Sequence, residues 1–401
     1  MSRVPQETPL SSSRTKRINN MRLLYYSPAS YGGIADYAHE QANALAALGI
    51  EVIMLCTPKY LTGRGEQYKI LPVLQELKPA KPLRHKALKA GHYVTVTLAN
   101  HAALARFIEQ HNFQYVLLAS YSEYLAPLWY WRLQHLAKRG IVFGAVIHDP
   151  VRDFVVGPLW WHRWSIVCSY SFLREAFVHE DIELDTVQPM PQLRTTVIPH
   201  GVFHFPSANN SQEETRAKFD MPLDAKVMLA FGHIRDNKNL DLVIRAMVHC
   251  PNLYLVVAGQ EQSSGQRPVS FYQELATTLG VANRCRWQIK FIPDQEAANL
   301  FVAADIVLLT YSKHFRSASG VLNIAANYRK LCLASAGEGP LRSVVQKYEL
   351  GIWVEPDNKD ALVNGMKKWL ENTLCPQWTR YFEENSWQVN AKLIRDCCLN
   401  C

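Results

Sequence analysis

No apolar run in the 401 residues approaches the roughly 20 needed to cross a bilayer, so nothing reads as an integral membrane segment. The opening stretch MSRVPQETPLSSSRTKRINN lacks the apolar centre of a secretory leader, and a polar, disordered tail over 1–20 is expected. Paired cysteine spacing is missing as well. The nine cysteines are an odd, scattered set, and several sit in apolar runs such as VIMLC (Cys56) and LCLAS (Cys332). This usage argues against a disulfide framework and for reduced thiols packed as small hydrophobes in a cytoplasmic setting. The terminal Cys398-Leu399-Asn400-Cys401 lacks the aliphatic residue that a prenylation box needs.

Charge is sparse, at 19% against 48% hydrophobic residues, which excludes a disordered chain and supplies material for two cores. No Asp-x-Asp stands at a strand end; Asp181-Ile182-Glu183 comes nearest, in an acidic, surface-like run. Histidine and cysteine spacings offer no zinc site, so neither metal nor cofactor is expected. The net charge of +8 comes without a nucleic-acid-binding module, so no nucleic-acid partner is expected. Lys78, Lys81, Arg84, Lys86 and Lys89 cluster, however, which fits phosphorylated substrates or an anionic membrane surface and a peripheral position on its inner face.

What is present is an alternation of short apolar runs with helical patterns. Strands are expected at Arg22–Tyr26, Glu51–Leu55, Tyr115–Ala119, Ile141–Ile147, Lys226–Phe231, Leu253–Ala258, Ile306–Thr310 and Leu331–Ser335. They are rich in Val, Ile, Leu and Tyr without clean alternation, as parallel strands covered on both faces are. Between the first two, Ile34, Ala38, Ala42 and Leu45 recur at helical spacing, and Gly49 supplies a stop. Repeated βα units imply doubly wound sheets, with ligands at the carboxyl ends of strands. The series breaks between Pro199 and Lys226, where the polar stretch SANNSQEETRAKFD suits a linker and short helix. Two Rossmann-like domains facing a cleft are expected: 21–200, with a crossover helix at about 381–401, and 201–380.

The segment richest in chemistry is Phe231-Gly232-His233-Ile234-Arg235-Asp236-Asn237-Lys238, a strand end running into glycine and two cations before a helix. Glycine admits close backbone approach, and Arg235 and Lys238 can hold a diphosphate whose charge grows as a glycosidic bond breaks. A solvated helix cap, with Lys238 pairing Asp241, is the reading that spacing leaves open beside it.

This segment resembles the phosphate-binding stretch of the family-4 retaining glycosyltransferases of GT-B fold, whose usual form is Gly-Arg-Leu-x-x-x-Lys-Gly. Lys238 falls on the family lysine, His233 takes the usual arginine's place, and Arg235 follows two residues on. The order of further motifs is similar too. Tyr31-Gly32-Gly33 precedes a helix, Val197-Ile198-Pro199-His200-Gly201-Val202 resembles the interdomain segment, and FIPDQEAANLFVAADIVLLTYS resembles the run into the donor site. The stretch Phe382–Trp387 resembles the one that crosses back to the first domain.

The resemblance implies a metal-independent, retaining hexosyltransferase of polysaccharide biosynthesis, with a nucleotide-sugar donor and a glycan or lipid-linked acceptor. Arg235 and Lys238, with the Ser319-Gly320 backbone, would carry the diphosphate. Gly32, Gly33, Gly232 and His233 would line the donor, and His148, placed after the strand IVFGAVI, would lie against the donor sugar. Small residues at Ser317-Ala318-Ser319-Gly320 before a helix also suit an anion. Two family glutamates are replaced by Phe315 and Asn323, of which Asn323 retains the means to meet a ribose hydroxyl. That departure motivates an alternative, an inactive binding subunit; a nucleotide-sugar epimerase of related fold is another, without an identifiable acid/base set. In PLWWHRWSIV, Trp160, Trp161 and Trp164 are expected to pack in the core, with a bilayer-facing patch as the alternative.

Overall fold

The computed structural model describes residues 21–79, 85–148, 150, 155, 157–203, 205–261 and 265–399, with the side chain of Lys86 left out. The tail at 1–20, Lys81, Arg84, Asp149 and Cys401 therefore lie outside the described residues. Along the chain come β1 (Arg22–Tyr26), α1 (Gly33–Ala47), β2 (Glu51–Leu55), β3 (Lys69–Leu71), α2 (Lys86–His111) and β4 (Tyr115–Leu118). A 3-10 turn (Glu123–Leu128) leads to α3 (Tyr130–Lys138), β5 (Val142–Val146), α4 (Leu159–Tyr170), β6 (Glu175–Val178) and β7 (Arg194–Val197). Next are α5 (Gln212–Lys218), β8 (Lys226–Phe231), α6 (Leu240–Met247), β9 (Leu253–Ala258), α7 (Val269–Thr278), β10 (Cys285–Gln288), α8 (Asp294–Ala303) and β11 (Ile306–Thr310). The chain ends with α9 (Gly320–Asn327), β12 (Leu331–Ser335), α10 (Pro340–Lys347), β13 (Gly351–Trp353), α11 (Lys359–Glu371), α12 (Trp378–Glu384) and α13 (Trp387–Leu399).

These elements form two compact units, one running to Gly201 and resuming at Trp387, the other spanning Val202–Ser386. The first holds a parallel sheet ordered β3-β2-β1-β4-β5-β6-β7, the second a parallel sheet ordered β10-β9-β8-β11-β12-β13. Both are Rossmann-like. In each, the strand order reverses beside the unit's first strand, between β1 and β4 and between β8 and β11. At such a switch point adjacent connections leave in opposite directions and open a crevice at the strand ends.

The apolar runs lack alternation because both faces of each sheet are covered. In the second unit Val227, Leu229, Val307 and Leu309 enter one core, while Met228, Leu255, Ile306 and Leu308 enter the other. Each such side chain contributes about 1.5–3 kcal/mol on burial. All eight expected strands are present, to within two residues at their ends. Five more were not anticipated: β3, β6, β7, β10 and β13. Four of these are edge strands of three or four residues, β3, β7, β10 and β13, and β7 alternates half-buried with exposed positions. β6 is wholly buried, but its Glu175 breaks the apolar run and is neutralised by Arg194 on β7.

The first unit regains the chain through α13. Trp387 packs edge-on against Tyr37 of α1, with ring centroids 5.0 Å apart, and Asn390 donates to Pro199 O at 2.8 Å. Gly201 lies flat against the same indole, since a Cβ there would stand 2.1 Å from the ring. Among the described residues, no helix is long and apolar enough to cross a membrane.

Candidate active site

In the second unit the site is built where β8 ends at the switch point. Gly232 has φ +88°, a left-handed conformation that costs glycine nothing, and its N–H donates to Ala258 O at 2.9 Å. The loop is then drawn across to β11, where Thr310 Oγ1 donates to Lys238 O at 2.8 Å and Ser312 N to Asn237 O at 2.8 Å. Asn239 Nδ2 donates to Asp357, which also takes the N–H of Lys313. The helix-cap alternative does not hold: Asp241 pairs with Arg267 at 3.2 Å, and Asp236 is held by Arg267 and Tyr272. Both carboxylates are thereby turned away from Lys238.

Lys238 folds back over its loop, and Nζ donates to Phe231 O at 2.6 Å. Its stem is partly exposed, yet the ammonium is enclosed by protein. Burial pulls its pKa down to about 7, and the nearby Arg235 adds to the fall. Arg235 itself is exposed, and its guanidinium has no hydrogen-bond or ion-pair partner among the described residues. His233 is exposed beside them, its pKa lowered by burial and by these two cations. A small pocket opens here, lined by Gly232, His233, Arg235, Lys238, Leu308 and Thr310 among others.

The start of α9 adjoins this loop: a Cβ on Gly232 would stand 3.3 Å from Lys238 Nζ and 3.8 Å from Val321 Cγ2. Gly320 is exposed with open space above it, but Ser319 is buried. Its hydroxyl caps Leu322 N and meets Tyr311 Oη at 3.0 Å. Anion contact there falls to the backbone rather than to that side chain. Asn323 is 3% exposed and its Oδ1 accepts from Tyr381 at 3.1 Å. Phe315 stacks on Tyr311, with centroids 4.0 Å apart and planes 13° apart.

In the first unit Gly32 and Gly33 follow β1 at the other switch point. Gly32 has φ +85°, no side chain caps α1, and a Cβ on either glycine would meet nothing within 4 Å. The free N–H groups of this first turn are therefore open to a ligand. One turn into α1, Tyr37 brings together residues from three further strand ends. Its ring meets His148 after β5 at 4.9 Å, His179 after β6 at 5.4 Å and His200 after β7 at 5.1 Å, all edge-on. Backbone carbonyls accept from His148 Nε2 (Ala119), His179 Nδ1 (Ile198) and His200 Nδ1 (Gly201), so each of those nitrogens carries a proton. Burial lowers the pKa of His200 to about 4 and that of His179 well below the usual histidine value, so both are neutral.

Sequence reasoning singled out His148, Gly32 and Gly33 but missed His179, Tyr37 and the Tyr311–Phe315 stack. A recognised β6 would have placed His179 at a strand end, the signal that marked His148. One surface expectation needs correction. Trp160 and Trp164 are exposed rather than core residues, because α4 is buried only over its C-terminal half, through Ser165, Ile166, Cys168 and Ser169; Trp161 is pinned, donating to Tyr124 O at 3.1 Å. Lys78 is exposed, with its ammonium over Tyr31, 4.9 Å from the ring centre.

The glycosyl transferases group 1 model matches residues 211–386. The D-inositol 3-phosphate glycosyltransferase of Mycolicibacterium smegmatis is 29% identical over 155 residues, 36% of this chain and 35% of that protein. Its counterpart in Mycobacterium tuberculosis H37Ra is 28% identical over 188 residues, 44% of this chain and 34% of that one. The match thus spans about a third of these relatives' length. Sucrose-phosphate synthase of Thermosynechococcus elongatus superposes with a TM-score of 0.64 at 17% identity, covering 95% of this chain and 97% of that one. Anabaena HepE in complex with UDP gives 0.67 at 12% identity, covering 95% and 100%. At these identities the structures speak to fold alone: the chain has the GT-B glycosyltransferase fold, and its residues 211–386 match the glycosyl transferases group 1 model.

Proposed function

We propose that this protein is a glycosyltransferase that takes a sugar from a nucleotide-sugar donor, with retention and without a metal, and passes it to a glycan or lipid-linked acceptor. One observation carries the reading. Arg235 and Lys238 stand at the switch point of the second sheet without an acidic partner among the described residues, next to a glycine that leaves the backbone bare. Such cations gain most where charge develops, on the leaving diphosphate, and so favour the transition state over the ground state. Lys238 would swing from Phe231 O to a phosphate oxygen, and the Gly320 end of α9 would offer backbone N–H groups. His148, oriented by Ala119 O, would contact the sugar, and the open first turn of α1 would meet donor or acceptor oxygens.

Anabaena HepE has been solved with UDP and with UDP-glucose, which supports UDP-glucose as the first donor to try. A second reading, a family member that binds but does not transfer, is favoured by Phe315 and Asn323. Both are engaged with tyrosines where the resembled family carries glutamates. Calorimetric binding of UDP-, GDP- and ADP-sugars, followed by assay of nucleoside diphosphate release with and without lipid and glycan acceptors, separates the readings. Acceptor-dependent release supports transfer. Tight binding without release across the acceptor panel supports the second reading, and absence of any nucleotide binding overturns both.

A further inference from the structure

Three segments at the carboxyl edge of the first sheet share an unusual surface. The N-terminal half of α2 exposes Leu88 and Tyr93, the 3-10 turn exposes Leu128, and the start of α4 exposes Leu159, Trp160 and Trp164. They are contiguous, since Tyr93 Oη donates to Ser122 Oγ at 3.1 Å and Trp161 Nε1 to Tyr124 O at 3.1 Å. On α4 the exposed positions 159, 160, 163 and 164 all lie in the N-terminal half, while Ser165, Ile166, Cys168 and Ser169 in the C-terminal half are buried. Leu159 and Trp160 are 62% and 64% exposed, too much for side chains that merely cover a core. Contiguous apolar surface of this kind marks an interaction site.

The fully exposed charges described on this rim are cationic, and the acidic Glu123 of the 3-10 turn is half-buried. Lys89 and Arg163 are exposed within it, and neither helix carries an acidic residue in its first turn. A helix N-terminus favours anionic side chains, so cations there work against the dipole. That cost is offset where a partner supplies negative charge. Tryptophan and tyrosine, each an apolar ring with one polar edge, suit the boundary between headgroups and acyl chains. All three segments follow the carboxyl ends of strands, the same edge of this sheet at which Gly32, Gly33 and His148 lie.

We propose that this rim docks the first unit on an anionic lipid surface, so that the acceptor is a lipid-borne molecule delivered at that edge. The acceptor clause rests on the transferase reading above; the docking itself does not. The test uses the full chain and vesicles of phosphatidylcholine alone or mixed with phosphatidylglycerol, with UDP affinity measured separately. Binding is expected on the mixed vesicles, weakened by salt and much weaker on the neutral ones. Trp160→Ala with Trp164→Ala should lower vesicle affinity about tenfold or more, and Arg163→Glu by at least about fivefold. UDP affinity should be unchanged in both, which also reports that the variants fold. Equal recovery on neutral and anionic vesicles, or undiminished binding by the double tryptophan variant, would overturn the proposal. So would a self-associated chain that the tryptophan variant returns to monomer without vesicle binding, since the rim would then be a protein contact. Loss of UDP binding with vesicle binding retained would count against the transferase reading alone.

Discussion

Lys238 is the residue on which the proposed donor site turns, because its charge is conditional. With a pKa lowered by burial to about 7, it is largely neutral at pH 8 in the empty protein. A bound diphosphate favours the ammonium, so binding should draw in a proton. Calorimetry of UDP binding at pH 8 in buffers of different ionisation enthalpy should show uptake approaching one proton, and affinity should fall as pH rises from 7 to 9. Lys238→Gln should abolish the uptake; uptake that persists would assign it elsewhere. The same side chain should matter more for turnover than for donor affinity, because its interaction strengthens as the sugar departs. Lys238→Ala is expected to lower turnover roughly a hundred- to a thousandfold, the usual effect of losing one charge-stabilising donor. Arg235→Ala should act in the same direction but less severely, with His233 beside it, and the double variant should fall short of the product of the two. Unchanged turnover in Lys238→Ala would reduce the loop to a structural turn.

At the scale of elements, α13 and the histidine-bearing strand ends decide how the first unit holds together. Trp387 fills the space between Tyr37, His200 and the bare face of Gly201. Trp387→Ala is expected to cost about 3–5 kcal/mol, the range for removing a large buried aromatic. Gly201→Ala should be destabilising for the opposite reason, since its methyl has no room. Thermal unfolding of the full chain checks both, and a melting temperature within a degree of the parent for Trp387→Ala would contradict this packing. The buried histidines add a pH dependence. His39, His101 and His200 are each pushed down to about 4, chiefly by burial, and His179 well below its usual value. A folded pKa below the unfolded one means that the unfolded chain binds protons first. The contribution is therefore whole above about pH 6.5 and is lost as pH falls toward 4. All four residues belong to the first unit. Hydrogen exchange at pH 7.5 and pH 5 should show that unit losing protection ahead of residues 202–386; parallel loss in both would refute the assignment.

At the scale of the whole molecule, the two sheets repeat one design. Each places a glycine-bearing loop after its first strand at a switch point, and each brings neighbouring strand ends toward that loop. In the second unit the loop carries cations; in the first, the strand ends carry histidines, of which His179 and His200 are neutral. With the charge stabilisation assigned to Arg235, Lys238 and backbone N–H groups, activity should survive EDTA. Abolition by chelator and recovery with Mg²⁺ or Mn²⁺ would show that those residues do not suffice.

The sequence determined whatever could be written in consecutive residues. The eight long strands were legible because a strand covered on both faces is continuously apolar, and α1 because its buried positions recur at helical spacing. The Gly232–Lys238 loop was legible because glycine and cations adjacent in the chain are adjacent in space. Tertiary structure alone decided the rest. Edge strands such as β7 and β13 bury too little to leave a pattern, and Glu175 in β6 reads as polar until Arg194 is seen across the sheet. His148, His179 and His200 meet Tyr37 only because parallel pairing aligns the ends of β5, β6 and β7. The tryptophans of α4 could not be placed inside or out from their order, since the rest of the unit covers only the C-terminal half of that helix. That choice belongs to the packing partner and not to the helix.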